Sequence, residues 1–317
     1  MTQKDSQISY EALKKPNGIL PGAVLRPEIL ETKAGKVEID ITDRDAPILM
    51  GSPGGMGGID QCRLTLQFAA DDFRLLSLSR PGYLGTPLGS GESIEAQADL
   101  FAAVLDELGI EKVALFSISA GGPYAYTFAA RHPDRIWALV AVDSVSGYYD
   151  IPESSGPITQ MIFLSDIGQK LLAKMTELEP DAFIKEIFRA EGYFTKKQLQ
   201  EHLDFVMNDP DARAFAVAFM NTINPYRPRR PGTENDMAQT RVLHHLDLEP
   251  IRCPTLIVHG THDSDVKFYD GVYAHEHIRG SERFWIEEGS HTGFWLNRHA
   301  KEAQQHVLDF LHRNRPE

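Results

Sequence analysis

Continuous apolar runs of strand length, separated by helical patterns, constrain this chain more than any other feature. "APILMG" (46–51), "FRLLSLS" (73–79), "KVALFS" (112–117) and "RIWALVAVD" (135–143) are mainly apolar, with little of the alternation of a half-exposed strand. Strands of this kind are covered on both faces. Between two of them, Ser93 caps a helix through Leu108, and Gly109 ends it. Its apolar residues Ile94, Ala98, Phe101, Leu105 and Leu108 recur at spacings of 4, 3, 4 and 3. The stretch after Ser119 also reads as a helix. Alternation of this sort predicts an α/β fold with a mostly parallel central sheet flanked by helices.

The rhythm breaks near Gly147 and resumes with "PTLIVHG" (254–260) and "RFWIEE" (283–288). The expected organisation is therefore a core made of residues 1–148 and 249–317, interrupted by a helical lid over 149–248. Within the core, residues 1–35 read as an arm. Thr195 and Gln198 form a capping box within the lid, and Asp209-Pro210 starts another helix. Phe163, Leu164, Phe183, Phe188, Tyr193, Phe194, Phe205, Phe215 and Phe219 recur there at helical spacings. Most are expected in the lid's own core and a few on the wall of a mostly apolar cavity. A C-terminal amphipathic helix is expected from about Arg298 to His312.

Composition narrows the partners. The net charge of −13 gives no basic footprint for phosphate backbones or anionic lipid, so nucleic acid and membrane surfaces are not expected partners. No signal peptide is visible, and no window reaches the ~20 apolar residues of a membrane span. The chain reads as cytoplasmic. Cys62 and Cys253 read as small buried residues, not as a disulfide framework.

The chemistry is carried by "KVALFSISAGG". Ser119 follows a buried strand and opens a helix, where G-x-S-x-G describes a nucleophile elbow. Gly121 meets the need for a small residue two positions later, and Ser117 stands where glycine is usual. A serine that only caps the helix is the plainer alternative. Asp263 lies just past one later strand and His291 just past the next. Loops after parallel strands share one sheet edge, so Ser119, Asp263 and His291 can converge there as nucleophile, orienting acid and base. Asp143, at the end of the strand after the elbow helix, competes with Asp263 for the acid's place. His262 is expected to be exposed. The pairs His244 and His245, and His275 and His277, lack the spacing of zinc ligands, so no metal is expected. Arg227, Arg229 and Arg230 read as a solvated loop, and "GSPGGMGG" lacks the lysine of a phosphate-binding loop.

With "ILMGSPGGMGG" (48–58) ahead of the elbow and "SRPGYLGT" (79–86) after the next strand, the chain resembles the α/β-hydrolase superfamily over about 36–148 and 249–317. The superfamily often carries His-Gly-x-Pro-Gly-Gly at the first of these places. The resemblance implies an α/β-hydrolase fold and a Ser-His-Asp triad. It also implies an oxyanion hole formed by the backbone N–H groups of Ser52 and Ala120. Met50 stands in place of the usual histidine, and could line the pocket floor. No cofactor is implied. The leading expectation is a serine hydrolase acting on a carboxylic ester of a small or medium substrate through an acyl-enzyme. A thioester, an amide or a C–C bond next to a ketone fits the same residues. The Pro-Gly-Gly loop is similar to that of proline iminopeptidases, which makes an aminopeptidase the main rival. A member that only binds a ligand is the reading from another class. The partner expected is a small molecule, with monomer and homodimer both open.

Overall fold

The computed structural model describes residues 25–150 and 178–316, with a few positions between 165 and 174. Eight strands form one sheet: β1 (Glu28–Thr32), β2 (Gly35–Ile41), β3 (Ile48–Ser52), β4 (Arg74–Leu78), β5 (Val113–Ile118), β6 (Ile136–Val142), β7 (Thr255–Gly260) and β8 (Glu282–Ile286). Their order is β1-β2-β4-β3-β5-β6-β7-β8. β1 and β2 pair antiparallel, as do β2 and β4, and every other pairing is parallel. This is the mostly parallel α/β-hydrolase sheet that the sequence predicts.

Burial on both faces follows from the apolar runs. Leu49, Phe116, Val140 and Val258 belong to one core, together with residues of the helices α1 (Ile59–Thr65) and α10 (Ala300–Asn314). Their strand neighbours Met50, Leu115, Leu139 and Ile257 belong to the other, with α2 (Ile94–Glu107), α3 (Gly122–Arg131) and α8 (Phe268–His277). Successive strand residues point to opposite faces, so each strand feeds both cores. Met50 is fully buried among Leu76, Leu115 and Tyr124 and takes no part in a pocket floor.

Ser93 caps α2, its side chain accepting the Ala96 N–H at 3.1 Å. Between β6 and β7 run α4 (Pro180–Glu191), α5 (Lys196–Asn208), α6 (Pro210–Asn221) and α7 (Arg230–Thr240). Thr195 and Gln198 make the expected capping box on α5, and Asp209 caps α6 by accepting the N–H groups of Asp211 and Ala212. A short helix, α9 (Gly293–Leu296), precedes α10.

Three features depart from the sequence reading. β1 lies inside the stretch read as an arm: Ile29 is half exposed, and pairing with β2 supplies the order that its own side chains do not. α1 and α8 have no counterpart in that reading. Arg229 is not solvated. It is fully buried, and its Nη1 and Nη2 donate to Asp60 Oδ1 and Oδ2 at 3.0 and 2.5 Å. That pair ties the start of α7 to α1. Phe163, Leu164 and the Phe183 side chain fall outside the described residues.

Candidate active site

The elbow is built by backbone sterics. Ser119 has φ of +50°, a left-handed value uncommon in residues other than glycine. Holding it costs roughly 1–3 kcal/mol, which the packed strand and helix on either side must sustain. A Cβ at position 121 would lie 2.2 Å from the Ser52 carbonyl oxygen and 2.7 Å from that of Pro53. Backbone cannot yield at such distances, so Gly121 is obligatory. Ser117, two residues before Ser119, has room. It is fully buried, and its Oγ lies 2.9 Å from Ser144 Oγ on the neighbouring chain segment. The departure from glycine is thus absorbed by a hydrogen bond.

His291 and Asp263 meet as their positions after parallel strands predict. His291 Nδ1 donates to Asp263 Oδ2 at 2.8 Å. Asp263 is held in turn by the N–H groups of Asp265 and Val266, at 2.8 and 3.0 Å from its Oδ1. Asp143 does not take this place. Its Oδ1 accepts the Gly260 N–H at 2.7 Å and its Oδ2 has no hydrogen-bond partner. Burial holds the Asp143 carboxyl well above the usual carboxylate range, and the nearby Asp263 adds to that.

Ser119 and His291 face a common cavity of about 240 Å³. Its walls come from the ends of β5 and β6, the Gly54–Met56 turn, the C-terminus of α4, and α6 and α7. Phe219 and Trp295, stacked with centroids 6.5 Å apart, contribute part of the apolar wall. Phe188 and Phe215 pack in the core, as expected of most of the helical aromatics, whereas Tyr193 is exposed.

Two acidic residues that the sequence reading passed over stand beside the histidine. Asp265 Oδ2 lies 3.4 Å from His291 Nε2, and its Oδ1 accepts the Tyr149 hydroxyl at 2.8 Å. Glu191, the last residue of α4, also lines the cavity, and its Oε2 accepts the Thr292 hydroxyl at 3.0 Å. The backbone carbonyl of Glu191 accepts the N–H groups of Ser264 and His291, both at 3.2 Å. Burial alone would lower the pKa of His291; the Asp263 and Asp265 carboxylates outweigh it and hold the imidazole well above its ordinary value. Burial pushes Glu191 up to about 7.

Ser52 and Ala120, the residues expected to give oxyanion donors, stand differently towards the cavity. Ser52 ends β3 and is buried, with its hydroxyl donating to the Gly121 carbonyl at 2.9 Å. It is not on the cavity wall; Gly54, Gly55 and Ala120 are. Gly54 abuts Ser119, since a Cβ there would lie 3.1 Å from Ser119 Cβ. The Gly54 N–H is taken by Gln61 Oε1 at 2.9 Å.

Asp143, His259 and Asp263 form the one cluster of potential metal ligands among the described residues. Their donors do not suit an ion. His259 Nε2 donates to the Val266 carbonyl at 3.0 Å, which leaves Nδ1 as the free lone pair, on the side facing Gly271. Burial lowers the His259 pKa to about 4, so the ring is neutral. His262 is half-buried and stacks on Phe194 at 5.9 Å, so it is not the exposed side chain expected from sequence.

The far wall is a second polar centre. Arg80 is fully buried and donates to Asp236 Oδ1 and Oδ2 at 2.7 and 2.6 Å. The Tyr83 and Tyr124 hydroxyls donate to the same carboxylate at 2.6 and 2.7 Å. This network fixes α7 to the "SRPGY" turn. No described helix is long and apolar enough to cross a membrane.

The strand order and the elbow at the end of β5 define an α/β hydrolase. Residues 55–304 match the model of the alpha/beta hydrolase family, and the chain belongs to that family as a hydrolytic enzyme of its type. It is similar to a protein from Nakamurella multipartita described as an alpha/beta hydrolase fold protein. The identity is 33%, the coverage 90% of this chain and 99% of that one, and the TM-score 0.84. The uncharacterized hydrolase YcgS of Bacillus subtilis is 28% identical, with 90% of this chain and 98% of that protein covered. A 2-hydroxy-6-oxononadienedioate/2-hydroxy-6-oxononatrienedioate hydrolase of Paraburkholderia phymatum is 26% identical, with 98% and 99% covered.

Proposed function

We propose that this chain is a serine hydrolase that cleaves a carboxylic ester of a small or medium substrate through an acyl-enzyme. The observation that carries the reading is the His291–Asp263 hydrogen bond of 2.8 Å, opening on the same cavity as the left-handed Ser119. Ser119 Oγ attacks the ester carbonyl while His291 Nε2 takes its proton. The imidazolium then gives that proton to the leaving alkoxide. Water, deprotonated by the same nitrogen, attacks the acyl-enzyme and releases the acid. Asp263 keeps Nδ1 protonated and stabilises the charged ring. Backbone N–H groups of Ala120 and Gly55 stabilise the tetrahedral oxyanion, in place of the Ser52 donor suggested by resemblance. Each such donor is worth roughly 3–4 kcal/mol of barrier. Helices α4 to α7 act as the lid that shapes the acyl site. The enzyme works in the cytoplasm without a cofactor.

A C–C bond next to a ketone fits the same residues of this chain, but the dioate in the name of the Paraburkholderia relative carries two carboxylates. The cavity wall here presents no Lys or Arg among the described residues to receive them. An ester is favoured on that ground. The test is labelling with a fluorophosphonate, which reacts with serines activated by a neighbouring base. Labelling that maps to Ser119 and disappears in Ser119→Ala is the expected result. A folded protein that stays unlabelled, or that labels elsewhere, sinks the reading.

A further inference from the structure

Apart from His291, the cavity wall is acidic. Asp143, Glu191, Asp236 and Asp265 line it, and no Lys or Arg does so among the described residues. The four acids differ in what surrounds them. Asp236 is matched by the two donors of Arg80 and by two tyrosine hydroxyls. The other three gather around His291. Asp265 has one tyrosine hydroxyl and the imidazole edge, and Glu191 has one threonine hydroxyl. Asp143 is 1% exposed, and its Oδ2 has no partner at all. Asp263 lies directly behind the ring. One imidazole therefore faces four carboxyl groups in a largely apolar enclosure.

Such an arrangement favours an added donor or countercharge, because the buried Asp143 has an orphaned oxygen and the half-buried Asp265 and Glu191 carboxylates have few donors. Beyond His291 and the donors already named, no side-chain cation among the described residues on the cavity wall supplies one at this end. A ligand can. We propose that the substrate carries a positive charge, of the ammonium type, received by Asp265 and Glu191 beside His291. This rests on the serine-hydrolase reading above and specifies its substrate class. An ammonium donates to several acceptors at once, so it can satisfy both carboxylates without displacing Tyr149 or Thr292. By pairing with Asp265 it also withdraws that carboxylate from Nε2, the nitrogen that must accept the serine proton. An acyl group ending in a carboxylate meets like charge on the same wall.

The experiment compares three 4-nitrophenyl esters of similar length: 6-aminohexanoate, heptanoate and hydrogen adipate, which end in a cation, a methyl group and an anion. In kcat/KM the amino ester is expected to exceed heptanoate by about tenfold, and heptanoate to exceed adipate by at least as much, because a facing charge in a partly dry site is weakly screened. The first ratio falls towards unity in Asp265→Asn and in Glu191→Gln. Taking a ratio of two substrates within one variant cancels any effect of the substitution on the chemical step or on the folded fraction. High salt narrows the wild-type ratio. Heptanoate cleaved as well as the amino ester, or better, overturns the inference and leaves the hydrolase reading standing. An amino-ester preference that persists in both variants overturns the assignment to Asp265 and Glu191. No turnover of any of the three by folded protein overturns the ester reading, and the inference falls with it.

Discussion

The two ends of the cavity both hold buried carboxylates, and they hold them in opposite ways. At the Asp236 end, the charge is balanced by Arg80 in a two-point contact, two tyrosine hydroxyls complete the acceptors, and the arginine is sandwiched by the Tyr83 and Tyr124 rings at 5.1 and 4.5 Å. At the His291 end, Asp143, Glu191, Asp263 and Asp265 share one imidazole and a few hydroxyl and amide donors. The first arrangement joins two segments far apart in sequence and has nothing left to offer a ligand. The second is under-compensated and adjoins the strained Ser119. Satisfied polar networks fix a fold; unsatisfied ones beside a nucleophile are where chemistry and ligand recognition are found.

The comparison breaks most sharply if the two ends respond alike to substitution. Ser119→Ala and His291→Ala each should lower kcat by roughly 10⁴–10⁶, as for residues that act as one unit. Unfolding free energy should stay close to that of wild type, or rise for Ser119→Ala as the cavity is relieved of a polar group. Steady-state hydrolysis and urea denaturation of the same preparations check this. A loss of activity below about a hundredfold would remove Ser119 from the mechanism, since a single positioned acid–base group alone is worth that much.

At the other end the effect should be on stability. Asp236→Asn leaves the Arg80 guanidinium buried with no countercharge, and breaking such a pair from one side costs about 3–5 kcal/mol. Asp60→Asn, which orphans Arg229 in the same way, should cost a similar amount. Both are read as a lowered urea midpoint at unchanged slope. If either variant unfolds at the wild-type midpoint, the pair is dispensable and the helical insert is held by its apolar contacts.

The same division explains what the sequence disclosed. The apolar runs marked β3 to β7 because both faces of those strands are covered, so that burial is written in local composition, and "RFWI" marked the edge strand β8 although its start is exposed. Ser119, Asp263 and His291 were legible for a related reason: each follows a strand, and parallel strands deliver their ends to one edge. β1 was missed because its order comes from pairing with β2 and not from its own EILET pattern. Arg229 was misread for the opposite reason. An arginine between prolines reads as solvated, and only the fold brings Asp60, 169 residues away, to its guanidinium. Asp265 and Glu191 carry no motif, although Asp265 is two residues beyond Asp263 in "HDSD". Their role arises from the cavity, which is a product of tertiary packing. The pocket floor offered as a place for Met50 is instead the core beside Leu76 and Leu115, because the parity of β3 cannot be read from a run apolar at every position.

The smallest effect expected is also the one most specific to the acidic end. Because Asp263 and Asp265 hold the His291 pKa above 6.5, the acid limb of kcat/KM for a neutral ester should lie above that pH. The base form acts, so activity rises as pH climbs through the raised pKa. Stability runs the other way. The protonated ring is favoured in the folded state, so its contribution is fully present below pH 6.5 and is lost as pH rises through the folded-state pKa. Asp265→Asn removes one of the carboxylates facing Nε2, and the limb should move down by about one unit. Asp143, in the loop after β6, and Glu191, at the end of α4, also act on the ring, and Glu191→Gln should shift the limb less than Asp265→Asn does. A limb that stays in place in Asp265→Asn would mean that Asp265 turns away from Nε2 in solution and that Asp263 alone sets the titration. The His291 end of the cavity would then be electrostatically closer to the Asp236 end than the distances suggest, with each carboxylate already satisfied by its own donors.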